Sequence, residues 1–210
     1  MHLDYQRLFA LDESLRAEAD QVLAQSGIGA LLQAAGYRAV GSYVMGTMTW
    51  RDLDFERHEE PDWRGHWEVG TRLAETGWCV RLQCTDVYRE AWVGREPGFG
   101  LYWGVRVADP QCGEPARPGD PTVWKLDLWT ARPEEFRAHP AWPRRQMWQS
   151  LLTDESRSHI LAIKEAACSQ PEYRKTLLSV HIYEAVLEQG VRGAEGFWEW
   201  WRTRYGDAGS

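Results

Sequence analysis

The chain has 210 residues, 43% of them hydrophobic and 26% charged, and a formal net charge of −7. That is enough for one domain or two small ones with a real core, and an acidic surface repels polyanions, which argues against nucleic acid as a partner. No run approaches the ~20 apolar residues that span a bilayer, and "MHLDYQRLFA" lacks the basic start and apolar core of a signal peptide.

Residues 12–35 read as a helix broken near Ser26-Gly27 and ended by Gly36, with Leu15, Ala19, Val22 and Leu23 on one face. "YRAVGS" reads as a short strand running into a turn at Gly41, and "RDLDFERH" as a second strand. Pro61 and Gly77 bracket a helix whose inner face carries Trp63, Trp67 and Ala74. "WCVRLQCTDVYRE" and "GLYWGVRV" look like a hairpin joined through "VGREPGFG", and "ADPQCGEPARPGDP" is a Pro/Gly-rich loop. "TVWKLDLWTA" is a further strand with β-branched and aromatic residues in alternation. After "HPAWPRR" only helix is expected, over roughly 144–169, 172–189 and 194–205. The expected organisation is an α/β domain over residues 1–140 and a helical domain over 141–210.

Cys79, Cys84, Cys112 and Cys168 form no CxxC pair and have no histidine at zinc-like spacing, so they read as reduced thiols in a cytoplasm. The 13 tryptophans read first as core and interface filling. A sharper alternative has a few lining a cleft and stacking on a planar or sugar-like ligand. The scattered histidines, His159 and His181 among them, read as core or surface residues.

Chemistry concentrates in "VGSYVMGTMTWRDLDF", Val40 to Phe55. Side chains alternate across a strand, so Asp52 and Asp54 project to one face and Leu53 and Phe55 to the other. Two carboxylates that close repel unless a cation neutralises them, and hard divalent ions, Mg²⁺ above all, suit such oxygens. The bland alternative is a solvated strand face. "GSYVMGT" has the outline of a P-loop but no lysine before Thr47, and Gly98-Phe99-Gly100 lacks the third glycine of a dinucleotide fingerprint.

A hydrophobic residue, Gly-Ser, nine residues and then Asp-Leu-Asp-Phe resembles the signature of the nucleotidyltransferase superfamily that includes DNA polymerase beta and the kanamycin and lincosamide nucleotidyltransferases. The likeness covers roughly residues 30–130. It implies an α+β fold, with a nucleotidyltransferase-like mixed β-sheet and flanking helices followed by a C-terminal helical domain. The turn at Gly41 and Ser42 would hold the phosphates of a nucleoside triphosphate, ATP among the candidates. Asp52 and Asp54 would bind the catalytic metals, two Mg²⁺ ions, and a third acid on a later strand would complete the site. Asp127 in "VWKLDLW" fits that third place best, with Asp86 in "QCTDVY" as runner-up. The hairpin inserted around residues 79–108 leaves the strand order open.

Two further cations, Arg157 and Lys164, fall within the apolar stripe formed by Ile160, Ile163, Ala167 and Cys168. They either snorkel or reach the interdomain cleft and neutralise the triphosphate, a role for which Lys125 competes. The expected activity is transfer of a nucleoside monophosphate from an NTP to a hydroxyl of a small-molecule acceptor, releasing pyrophosphate. Alternatives are the same transfer to RNA or protein, or a non-catalytic nucleotide-binding module.

Overall fold

The computed structural model describes residues 5–89, 99–110, 122–139, 141–170, 173 and 176–205. Cys112 and most of the expected Pro/Gly-rich loop lie outside the described residues, as does most of the "VGREPGFG" connection. The elements in chain order are α1 (Tyr5–Gln25), α2 (Ile28–Ala34), β1 (Arg38–Val40), α3 (Gly41–Met45), β2 (Asp52–His58), α4 (Trp63–Glu75), β3 (Cys79–Asp86), β4 (Leu101–Val107) and β5 (Trp124–Ala131). They continue with α5 (Pro133–Ala138), α6 (Ala141–Leu151), α7 (Asp154–Ala167), α8 (Ser179–Tyr183), a π-helical turn over Glu184–Glu188, and α9 (Gly193–Tyr205). The fold is α+β. No helix of the described residues is long and apolar enough to cross a membrane.

Two compact units divide the chain, Leu15–Val44 with Trp50–His139, and Met1–Ser14 with Met45–Thr49 and Pro140–Ser210. The first holds a five-stranded mixed sheet in the order β1-β2-β5-β4-β3. β2 and β5 run parallel, and the other neighbours are antiparallel. The expected hairpin is thus β3–β4, and it adds to the far side of β5.

Alternation along the strands gives the sheet one dry face. Leu53 and Phe55 of β2, Leu126 and Leu128 of β5, and Trp103 and Val105 of β4 are all buried, and the register places them side by side. Helix α4 covers this face against β3 and β4, and α2 packs on α4. Asp62 caps α4, its carboxylate accepting from the backbone N–H of Arg64 and Gly65. The apolar side of that helix carries Val69 and Leu73, both buried.

Gly70 is where α4 meets the sheet most closely. A Cβ added there would lie 2.3 Å from Cζ2 of Trp103, whose indole is already fixed by donating to His66 O at 3.0 Å. Alanine in a helix interior gains about 1 kcal/mol over glycine, whereas overpacking a core costs about 1–3 kcal/mol. A ring that is both buried and hydrogen-bonded cannot step aside, so the clash wins. Gly70→Ala should lower stability by about 1–2 kcal/mol in a denaturant melt; an unchanged or raised midpoint would refute this contact.

The second unit is helical. One expected helix over 144–169 is two, because Thr153 and Ser156 exchange hydrogen bonds and start α7 afresh. Among the described residues of 172–189, helix begins only at Ser179. Glu184 in the π-helical turn is buried and is held by Arg144 at 3.2 Å and Arg204 at 3.0 Å.

Candidate active site

The opposite face of the sheet is half-buried and polar. Parallel pairing of β2 with β5 sets Asp54 beside Asp127 and Asp52 beside Lys125. With period-2 alternation, all four side chains share one face. Asp127 is therefore the acid that the fold brings to Asp52 and Asp54. Asp86 ends the edge strand β3, separated from β2 by two strands, and pairs with Arg89 at 3.2 Å.

Each carboxylate is held differently. Asp52 accepts from Trp50 Nε1 at 3.2 Å through Oδ2, and its Oδ1 lies 3.1 Å from the Lys125 ammonium. Asp127 accepts from the Tyr102 hydroxyl at 2.7 Å through Oδ1, and its Oδ2 forms an ion pair with the same ammonium. Burial alone would pull Lys125 down, but Asp52, Asp127 and Asp54 outweigh it and hold the ammonium above its ordinary pKa. Burial, and then the Asp127 charge, raise Tyr102 well above the usual phenol. Tyr102 is therefore a fixed donor.

Asp54 is packed against Gly41. β1 pairs antiparallel to β2 with Val40 opposite Asp54, so the residue that follows β1 arrives at the carboxylate. Gly41 has φ +72°, and a Cβ there would sit 2.5 Å from Asp54 Oδ2. Both the left-handed conformation and the close approach demand glycine. Ser42 is the next residue, within the first turn of α3.

Two residues on this face carried no expectation from sequence. Tyr102 reaches Asp127 because Gly104, the register partner of Asp127, leaves the space; a Cβ at Gly104 would lie 2.8 Å from the Tyr102 hydroxyl. The signal was present in "LYWGVRV", where Tyr and Gly occupy successive positions on the polar face. Trp129 tilts on Tyr102 at 4.9 Å. Of the other tryptophans, Trp103, Trp124 and Trp148 are core, while Trp67 is exposed.

The second unit shows where Arg157 and Lys164 are engaged. Lys164 is 1% exposed, and its ammonium donates to Thr47 O at 2.9 Å and to the Tyr183 hydroxyl at 3.2 Å. Arg157 donates to Gly46 O at 3.1 Å and pairs with buried Asp12 at 3.3 Å. Asp12 also accepts from Met48 N at 2.7 Å. These groups together hold the Met45–Thr49 segment, the spacer between the Gly-Ser pair and β2.

The donor set at Asp52, Asp54 and Asp127 is hard oxygen, the chemistry a Mg²⁺ ion takes. A cation of the chain's own already sits on two of the three. Among the described residues, no three His, Cys, Asp or Glu side chains are close enough together to hold a metal ion. The acids suit a divalent cation in donor chemistry and share a face, but as placed they are not gathered around one cation position, and Lys125 holds two of them. Neither protein-family models nor curated proteins match the chain.

Proposed function

We propose that the chain is a metal-dependent nucleotidyltransferase with a nucleotidyltransferase-like sheet, moving a nucleoside monophosphate from an NTP to a hydroxyl of a small-molecule acceptor. The observation that carries this reading is the parallel register of Asp54 with Asp127, next to a Gly41 whose backbone abuts the Asp54 carboxylate.

Asp52 and Asp54 would hold Mg²⁺, with Asp127 completing the set. The metal, when bound, supplies charge neutralisation to the triphosphate and to the attacking and leaving oxygens. The turn at Gly41 and Ser42 would hold the triphosphate, and a larger residue at Gly41 would displace Asp54. Lys125 supplies a further positive charge on the same face. Asp127, its rotamer fixed by Tyr102, accepts the acceptor hydroxyl's proton as the oxygen bonds to the α-phosphorus. The bond from that phosphorus to the β-phosphate's bridging oxygen breaks, and pyrophosphate leaves.

A non-catalytic nucleotide-binding module is the second reading. Lys125 favours it, because its ammonium neutralises acids that a catalyst would give to metal. One experiment decides between them: the protein is incubated with Mg²⁺, each labelled NTP and a metabolite pool, and pyrophosphate release is followed. Asp52→Asn and Asp54→Asn serve as controls. Release by the native chain that both variants abolish, with their folds intact by circular dichroism, is the expected result. Activity retained in both would reject the metal assignment.

A further inference from the structure

We propose that Arg57 and His66, on the dry side of the sheet, form a buried binding site for a small monovalent anion of the halide class. Both residues belong to the sheet-bearing unit, and the site lies on the opposite face from the acids. It does not rest on the nucleotidyltransferase reading.

A guanidinium in a dry layer needs acceptors for its five N–H donors. Alternation puts Arg57 on the face of β2 that carries Leu53 and Phe55, and only 6% of the residue is exposed. Nη1 donates to Ala35 O at 3.4 Å. Nε has Glu59 Oε1 at 3.0 Å, out of line for a normal hydrogen bond. The Glu59 side chain is half-exposed, so it balances the charge from the solvent side. Nη2 is shut off from solvent and finds no acceptor among the described residues.

His66, on α4, is in the same condition. It is fully buried, edge-on to Trp63 and stacked on Trp103. Neither ring nitrogen has a hydrogen bond of normal geometry among the described residues, and the Tyr102 backbone supplies only a weak one. The charge of Arg57 acts on both His66 and Tyr37, which puts the three groups in one neighbourhood. Tyr37 lies under the guanidinium, with its ring centroid 5.2 Å from Cζ. Its hydroxyl shares a 2.7 Å hydrogen bond with the Thr130 hydroxyl, and that pairing leaves one hydroxyl hydrogen to donate elsewhere.

This neighbourhood is rich in donors and poor in acceptors, and each buried donor left unmade costs free energy. A water molecule accepts from such donors but brings two O–H groups of its own, so the surplus persists. An anion only accepts. Its charge beside the ring also favours the imidazolium, which then donates to the ion. Anion binding and proton uptake by His66 therefore reinforce one another. The close packing of Gly70 on Trp103 beside the ring favours a small ion over a bulky oxyanion.

Chloride is the probe, compared at equal ionic strength with gluconate, which is too bulky for a closed core. The His66 pKa is read from its ring resonances in the native chain, identified by their loss in His66→Phe. Chloride should raise it by at least ~1 unit, the effect of an opposite charge brought close. Arg57→Met should lower the chloride affinity at least ~10-fold, the scale of one charge-assisted hydrogen bond. An identical His66 pKa in the two salts overturns the proposal and leaves water as the partner of these nitrogens. A chloride response undiminished in Arg57→Met overturns it too, since the ion would then lie elsewhere. Should that variant not fold, a crystal of the native chain grown in bromide decides. An anomalous peak between Arg57 Nη2 and the His66 ring is expected, and an ordered water there without anomalous signal overturns the site.

Discussion

Asp127→Asn should keep Mg²⁺-dependent NTP affinity within a few-fold while turnover falls by ~10²-fold or more. The amide is isosteric and still accepts from Tyr102 through its carbonyl oxygen, so packing on β5 changes little. Under the proposed nucleotidyl transfer, what would be lost is a negative charge and a proton acceptor at the attacking hydroxyl. Those matter in the transition state more than in the ground state, so the loss belongs in kcat rather than in binding. On the same proposal, Asp52 and Asp54 would remain to hold the ion that accompanies the triphosphate. Equilibrium binding of a nonhydrolysable NTP analogue, set against single-turnover rates, separates the two quantities. Turnover within ten-fold of native would remove Asp127 from the chemistry.

Acid should destabilise the protein through His66 by about 3 kcal/mol. His66 is fully buried, stacks on Trp103 with ring centroids 5.1 Å apart, and its ring nitrogens find no hydrogen bond of normal geometry among the described residues. Burial first, and then the charge of Arg57, lower its pKa from 6.5 to about 4. The imidazole is thus neutral in the folded chain. Between pH 6.5 and about 4 the unfolded state binds the extra proton and the folded state does not, so stability falls as pH falls through that window. Above pH 6.5 the contribution is fully present, and below about 4 the loss levels off. A shift of that size corresponds to about 3 kcal/mol at 1.36 kcal/mol per pKa unit. Carboxylates titrate in the same range, so the measured quantity is the difference between native and His66→Phe, which keeps an aromatic ring beside Trp103. That difference should change by about 3 kcal/mol between pH 7 and pH 4. A pH-independent difference would show that His66 is not the group responsible.

Much of the sheet was legible because each strand announces its faces. "DLDF" and "WKLDLW" alternate charge with leucine, and the structure turns those leucines inward as the pattern requires. Gly27, Gly36 and Gly77 all mark ends, and each has positive φ. Helix α5 went unread although "RPEEF" carries proline and acids at a first turn, and "TDES" marked the break at Thr153. Those signals are local and were there to be found.

Other features have no local signal. Whether Asp86 or Asp127 stands beside Asp54 depends on strand order, which is set by pairing across long stretches of chain. The grip on Met45–Thr49 comes from Asp12, Arg157 and Lys164, contributed from distant segments. The position of Lys125 on two acids follows from the parallel register, so sequence could suggest a phosphate partner for it but not this arrangement.

The parallel pairing of β2 with β5 also bears on how the polar face comes together during synthesis. β2 carries Asp52 and Asp54 and emerges from the ribosome well before its partner, since a parallel neighbour needs a long crossover. Until β5 docks, the two acids stand on a half-built sheet with no strand beside them on that side. A docking strand bearing Asp127 alone would add to their repulsion and slow closure of a contact that is already entropically expensive. β5 delivers Lys125 with Asp127, two residues apart on one face, so the docking strand brings as much positive charge as negative. The acidic cluster is therefore completed without a net increase in charge, by a strand that carries its own counter-ion.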